Sequence, residues 1–129
     1  MANQFVVELK NEPGGLATLA EALAERGIDL RAIGGGGIGD TGHIIMTTAD
    51  DDAARAVLEA GGYTFIEGES ILTEVDDRPG GMARLSRALA DAGVNIYGHL
   101  FLGRWGDRAM FAFVVDDPDK ARPILERKG

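Results

Sequence analysis

The spacing of apolar residues changes along this chain, and it changes in the same order twice. "QFVVELK" (4–10) alternates apolar and polar positions, which puts Phe5, Val7 and Leu9 on one face of a strand. Pro13-Gly14-Gly15 then breaks the strand, and Leu16, Leu19 and Leu23 follow at helical spacing. Gly27 stands where a helix ends. A second strand, a turn and a third strand ("HIIMTTA") come next. Asp50, Asp51 and Asp52 open a second helix with Val57 and Leu58 on its apolar stripe, because acidic residues suit the positive end of a helix. "YTFIEG" supplies a fourth strand.

The same series returns from residue 71 onwards. Ile71, Thr73 and Val75 alternate, Pro79-Gly80-Gly81 breaks the strand, and Met82, Leu85 and Leu89 form the helical stripe. Pro13 and Pro79 are 66 residues apart. At that offset Glu8 meets Glu74, Leu19 meets Leu85, Leu23 meets Leu89 and Gly27 meets Gly93, and the register is read as far as Asp50 and Asp51 against Asp116 and Asp117. It sets His43 against Ala109, and residues 34–37 against Leu100, Phe101, Leu102 and Gly103. Ile124 and Leu125 mark the last helix. The second copy stops at "ILERKG", so its fourth strand is missing. Self-similarity at a fixed period defines the architecture. It predicts an α+β chain of two ferredoxin-like βαββαβ repeats, 1–69 and 70–129, with antiparallel sheets, seven strands and four helices.

"IGGGGIGD" (33–40) contains GxGxxG at Gly34, Gly36 and Gly39. A dinucleotide loop follows a parallel strand and opens a helix, whose N-terminus receives the pyrophosphate. Here a strand-like segment follows, so that reading fails. Two readings remain: a flexible hairpin, or a strand stripped of side chains to make room for a ligand or for the aromatic residues of the other copy.

Composition narrows the function. There are no cysteines, which excludes disulfides, thiolate catalysis and Cys-based zinc sites. The net charge is −8 with no basic block, which argues against nucleic acid. No apolar run approaches the roughly 20 residues that span a bilayer, and the N-terminus does not read as a signal peptide, so the expectation is a cytoplasmic protein away from membranes. His43 and His99 fall in different copies without a fixed carboxylate spacing, a poor basis for a metal site. The acidic runs lack EF-hand spacing and suit helix caps. Glu8 and Glu74 read as members of a solvated sheet face. Alternation along the second strand of copy two puts Tyr97, His99, Phe101 and Trp105 on one face, as an interface stripe or, for His99, a ligand contact.

"NEPGGLATLAEALAERGIDL" (11–30) and "DDRPGGMARLSRALADAGVNI" (76–96) resemble the ACT domain, a small regulatory module that binds amino acids. The resemblance covers both copies. It implies two domains packed side by side as an intrachain pseudo-dimer, without cofactor or metal, with a free amino acid held between the first loop of one copy and the second strand of the other. Carried onto this chain, the ligand-binding residues are Asn11, Gly14, Gly15, Leu16, Asp29 and Leu30 in the first copy, and Asp77, Gly80, Gly81, Met82, Asn95, Ile96 and His99 in the second. Asp77 replaces the family's usual Asn, and Asp29 stands where copy two keeps Asn95, so the two sites are unequal. The resemblance implies a non-enzymatic sensor that forms homodimers and acts on a metabolic enzyme. The rival readings are a ligand-free subunit that docks on such an enzyme or self-associates, and a small enzyme using His99 or Glu74.

Overall fold

In the computed structural model, which describes residues 2–126, the chain divides into two units, Met1–Gly68 and Glu69–Gly129. The first runs β1 (Asn3–Lys10), α1 (Gly15–Glu25), β2 (Leu30–Ile38), β3 (Thr41–Thr48), α2 (Asp51–Ala60) and β4 (Phe65–Glu69). Its sheet has the order β2-β3-β1-β4, with β3 antiparallel to both neighbours. The second runs β5 (Ile71–Asp76), α3 (Gly81–Asp91), β6 (Ile96–Trp105), β7 (Arg108–Val115) and α4 (Pro118–Leu125), with sheet order β5-β7-β6. Both are ferredoxin-like, as the repeat predicts. Residues 127–129, the end of "ILERKG", lie outside the described residues; among those described the second unit has three strands.

Each core lies between helices and one sheet face. In the first unit Phe5, Val7 and Met46 meet Leu19 and Leu23 of α1 and Ala54 and Leu58 of α2, all essentially without solvent contact. In the second, Ile71, Phe113 and Val115 meet Leu89, Ala121 and Leu125. Burying each such large side chain stabilises the fold by roughly 1.5–3 kcal/mol. Leu16 departs from its stripe: at the mouth of α1 it is 48% exposed, while its counterpart Met82 packs against the second core.

The internal register needs one correction. Asp50 caps α2 by accepting from the Ala53 amide, and Asp117 caps α4 by accepting from that of Lys120. These caps are 67 residues apart, not 66. β2 and β6 begin in step, at Leu30 and Ile96, but the hairpin glycines Gly39 and Gly106 (φ +60° and +61°) are again 67 apart. The extra residue is Leu102. Pairing steps from Phe101 opposite Phe111 to Gly103 opposite Met110, leaving Leu102 as a bulge. Gly36 therefore matches Gly103, Gly37 matches Arg104, and His43 matches Met110 rather than Ala109.

The bulge also breaks the aromatic stripe. His99 and Phe101 lie opposite Phe113 and Phe111, with ring centroids 6.1 and 5.5 Å apart. Trp105 pairs with Arg108 on the other face, and Tyr97 falls in a second irregularity. Strict alternation fails wherever one strand carries an unpaired residue.

Candidate functional site

The Pro-Gly-Gly loops lead into α1 and α3. Gly14 and Gly80 are the N-caps, both at φ +90°, a backbone region in which a side chain is strained. Neither cap supplies a side-chain acceptor. This contrasts with α2 and α4, whose aspartate caps satisfy a first-turn amide. A helix start holding open N–H groups beside glycine is suited to a small carboxylate, which gains hydrogen bonds and the favourable end of the helix dipole.

In the first unit this helix start opens on a concavity of about 650 Å³. Glu8, Lys10, Glu12 and Asp40 give it a net acidic rim, and Tyr63, Thr64 and Thr18 complete its polar wall. Asn11 stands beside it but is engaged within the chain. Its Nδ2 donates to the Gly39 carbonyl at 2.9 Å, and its own amide donates to that of Asp40. The side chain lies over Gly37, where an added Cβ would come within 2.7 Å of it.

That contact answers the question raised by the glycine run. Residues 34–37 belong to β2 and pair along its length with β3, so the run is a strand rather than a loose hairpin. At Gly37 the space is taken by Asn11. At Gly35 a Cβ would run into the His43 carbonyl. No helix follows Gly39, which turns the chain directly into β3.

In the second unit Asp77 replaces Asn11 and Arg104 replaces Gly37. The Arg104 Nε donates to Asp77 Oδ2 at 2.8 Å, and the guanidinium lies 4.7 Å from the Phe101 ring centroid. Asp76, Asp77, Arg78, Pro79, Met82 and Arg104 line a concavity of about 350 Å³ with Ala109 and Phe111 as its apolar floor. Gly81 is fixed by packing, because a Cβ there would collide with the Asp76 carbonyl.

The remaining positions sit at the far end of each sheet. The Asp29 carbonyl accepts from Ala49, and its carboxylate lies 3.4 Å from Arg31. Leu30 begins β2 beside it. The Asn95 amide donates to Asp116, and Ile96 follows at the start of β6. Asn11, by contrast, lies beside the β2–β3 turn, and Asp77 beside the β6–β7 turn, where its amide donates to Asp107. The fold therefore groups Asn11 with Gly14, Gly15 and Leu16, and Asp77 with Gly80, Gly81 and Met82. Within a unit, Asp29 and Asn95 are separated from those loops by the length of the sheet. His99 lies exposed midway along β6.

A carboxylate outside these loops has a distinctive environment. Glu67 receives Nε and NH2 of Arg55 at 2.6 and 2.7 Å, which, with a further bond from Asn3, holds its carboxyl below the ordinary range. Arg122 in α4 donates Nε and Nη2 to the Glu69 carboxylate at 3.0 and 2.7 Å.

Two glycine-capped ferredoxin-like units in one chain define a tandem α+β architecture. Residues 4–60 match the family model of the ACT domain, and the second unit repeats the fold of the first. No match was found among curated proteins. Among solved structures, a protein from Bacteroides thetaiotaomicron is similar at 23% identity and a TM-score of 0.71, covering 97% of this chain and 86% of that one. The ligand-free regulatory subunit of aspartate kinase from Thermus thermophilus is similar at 22% identity and a TM-score of 0.63, over 97% of this chain and 87% of that one.

Proposed function

We propose that the chain is a regulatory, non-catalytic protein that binds a free amino acid at its Pro-Gly-Gly loops. The observation that carries this reading is the pair of helix starts at Gly14 and Gly80, each lacking a side-chain cap and each beside a concavity. The ligand's carboxylate caps the helix, and Asn11 or Asp77 faces its polar groups. The Asn11 Oδ1 has no partner among the described residues and accepts from the ammonium. The ACT-domain match of the first unit supports the same role. Loop residues and the starts of β2 and β6 lie at opposite ends of their own unit. Regulation follows when the ligand prefers one state of the assembly.

A thermal-shift screen against single amino acids tests this. A ligand that binds only the folded chain stabilises it by about 2.7 kcal/mol at 100 times its dissociation constant. We expect one or two amino acids to raise the melting temperature. Gly80→Asp, which puts a negative charge at the cap, and Asn95→Ala should abolish the calorimetric signal; normal binding by both variants would place the site elsewhere.

A second reading is favoured by one surface. Tyr97, Phe101, Leu102 and Trp105 are exposed along β6, an edge strand. Apolar edge strands seek partners, which suits docking on a metabolic enzyme or a second copy. A flat amino-acid screen together with co-purification of an enzyme would select this reading.

A further inference from the structure

The two loops differ most in charge. Glu12 and Thr18 of the first unit correspond to Arg78 and Arg84 at 66 residues, and beyond the Leu102 bulge Gly37 and Thr41 correspond to Arg104 and Arg108 at 67. Four arginines thus gather at one end of the second unit where the first has none. Asp76 alone meets three of them: Arg78 at 3.3 Å, Arg84 at 3.9 Å, and Arg108 in a hydrogen bond. Glu74, Asp76 and Asp77 pair with these arginines, and in the concavity Arg78 and Arg104 balance Asp76 and Asp77, where the rim of the first loop carries a net negative charge.

Arg104 is held for presentation. Asp77 engages its Nε and Phe101 supports its plane, while its terminal nitrogens have no hydrogen-bond partner among the described residues. A guanidinium fork fixed in this way matches a carboxylate in bidentate geometry. Arg78 lines the same concavity of about 350 Å³. Met82, Ala109 and Phe111 line the same concavity, a surface suited to hydrocarbon.

We propose that this concavity binds a short dicarboxylate, with one carboxylate on Arg104, the other on Arg78, and the carbon chain over Met82 and Phe111. The assignment rests on the reading of the loops as ligand seats, and gives the second seat a ligand class different from that of the first, whose rim is acidic. The two charged ends explain why both an arginine pair and an apolar floor are present.

Isothermal titration with succinate and butyrate, which share a carbon count and differ by one carboxylate, tests the assignment on the full chain. The proposal expects succinate to bind at least tenfold tighter than butyrate. Arg104→Met and Arg78→Met should each weaken succinate at least tenfold with unchanged melting temperature, since both side chains are exposed. Arg87→Met, the same change on the exposed side of α3, should leave it unchanged. Equal binding of succinate and butyrate, no succinate binding, or equal losses in all three variants would overturn it. An amino-acid shift that persists without succinate binding overturns the dicarboxylate alone; loss of both signals overturns the ligand-seat reading with it.

Discussion

The two Pro-Gly-Gly loops share a backbone and differ in almost every side chain around it. Gly14 and Gly80 have the same φ, and each begins an 11-residue helix. Around the first stand Lys10, Glu12 and Asp40, with Asn11 lying on a bare glycine strand. Around the second stand four arginines, with Asp77 tied to Arg104. The frame is set by glycine conformation and by core packing, and neither depends on charge. Ligand chemistry is therefore free to diverge while the fold stays fixed.

That comparison can be broken most forcefully at equivalent helix starts. Gly81→Ala drives a Cβ into the Asp76 carbonyl, and collisions with backbone cannot relax by a rotamer change. We expect a loss of about 3 kcal/mol in chemical denaturation. Gly15→Ala meets the Lys10 carbonyl at 3.2 Å and should cost about 1 kcal/mol or less. Equal costs would show that the two loops do not share the packing difference described.

A smaller effect is expected at Glu67. Its carboxyl titrates below the ordinary range because Arg55 holds the ionised form. Its contribution is therefore complete above the ordinary carboxylate pKa and is lost as pH falls through the lowered value. Glu67→Gln should lower the melting temperature by about 4 °C at neutral pH, and the gap from wild type should close in acid. A gap independent of pH would remove the ion pair as its cause.

The smallest effect belongs to the bulge. Deleting Leu102 gives the β6–β7 hairpin the pairing of its β2–β3 counterpart, and we expect stability within about 1 kcal/mol of wild type. Deleting Leu100 instead removes a buried side chain and puts Phe101 in its place on the other face of the sheet, and should cost about 3 kcal/mol. Circular dichroism melts of the two deletions distinguish these outcomes.

The fold was legible because its signals are local. Alternation at Phe5, Val7 and Leu9, the Pro-Gly-Gly breaks and the aspartate caps each act within a few residues, and the repeat printed them twice. The bulge was not legible, because an ungapped comparison absorbs one extra residue silently and only the pairing of Gly103 with Met110 exposes it. The face of Trp105 was lost with it. Leu16 fitted its helical stripe by period, yet at the first turn that stripe runs past the core. The contact of Asn11 with Gly37 joins residues far apart in sequence, and no local pattern announces it. Arg78, Arg84, Arg104 and Arg108 belong to no local motif. Superposing the two copies would have flagged them, since each replaces a neutral or acidic residue at one end of the fold.

The bulge at Leu102 has a counterpart in the language of coding. In a strand, an inserted residue is a frameshift, because every later side chain changes face. A bulge at the same place is its suppressor: Gly103 and Met110 resume the pairing that Gly36 and His43 make in the first unit, and every position downstream keeps its side of the sheet. The two copies can thus differ in length without differing in meaning, and an alignment of one repeat on the other carries a single gap, opposite Leu102.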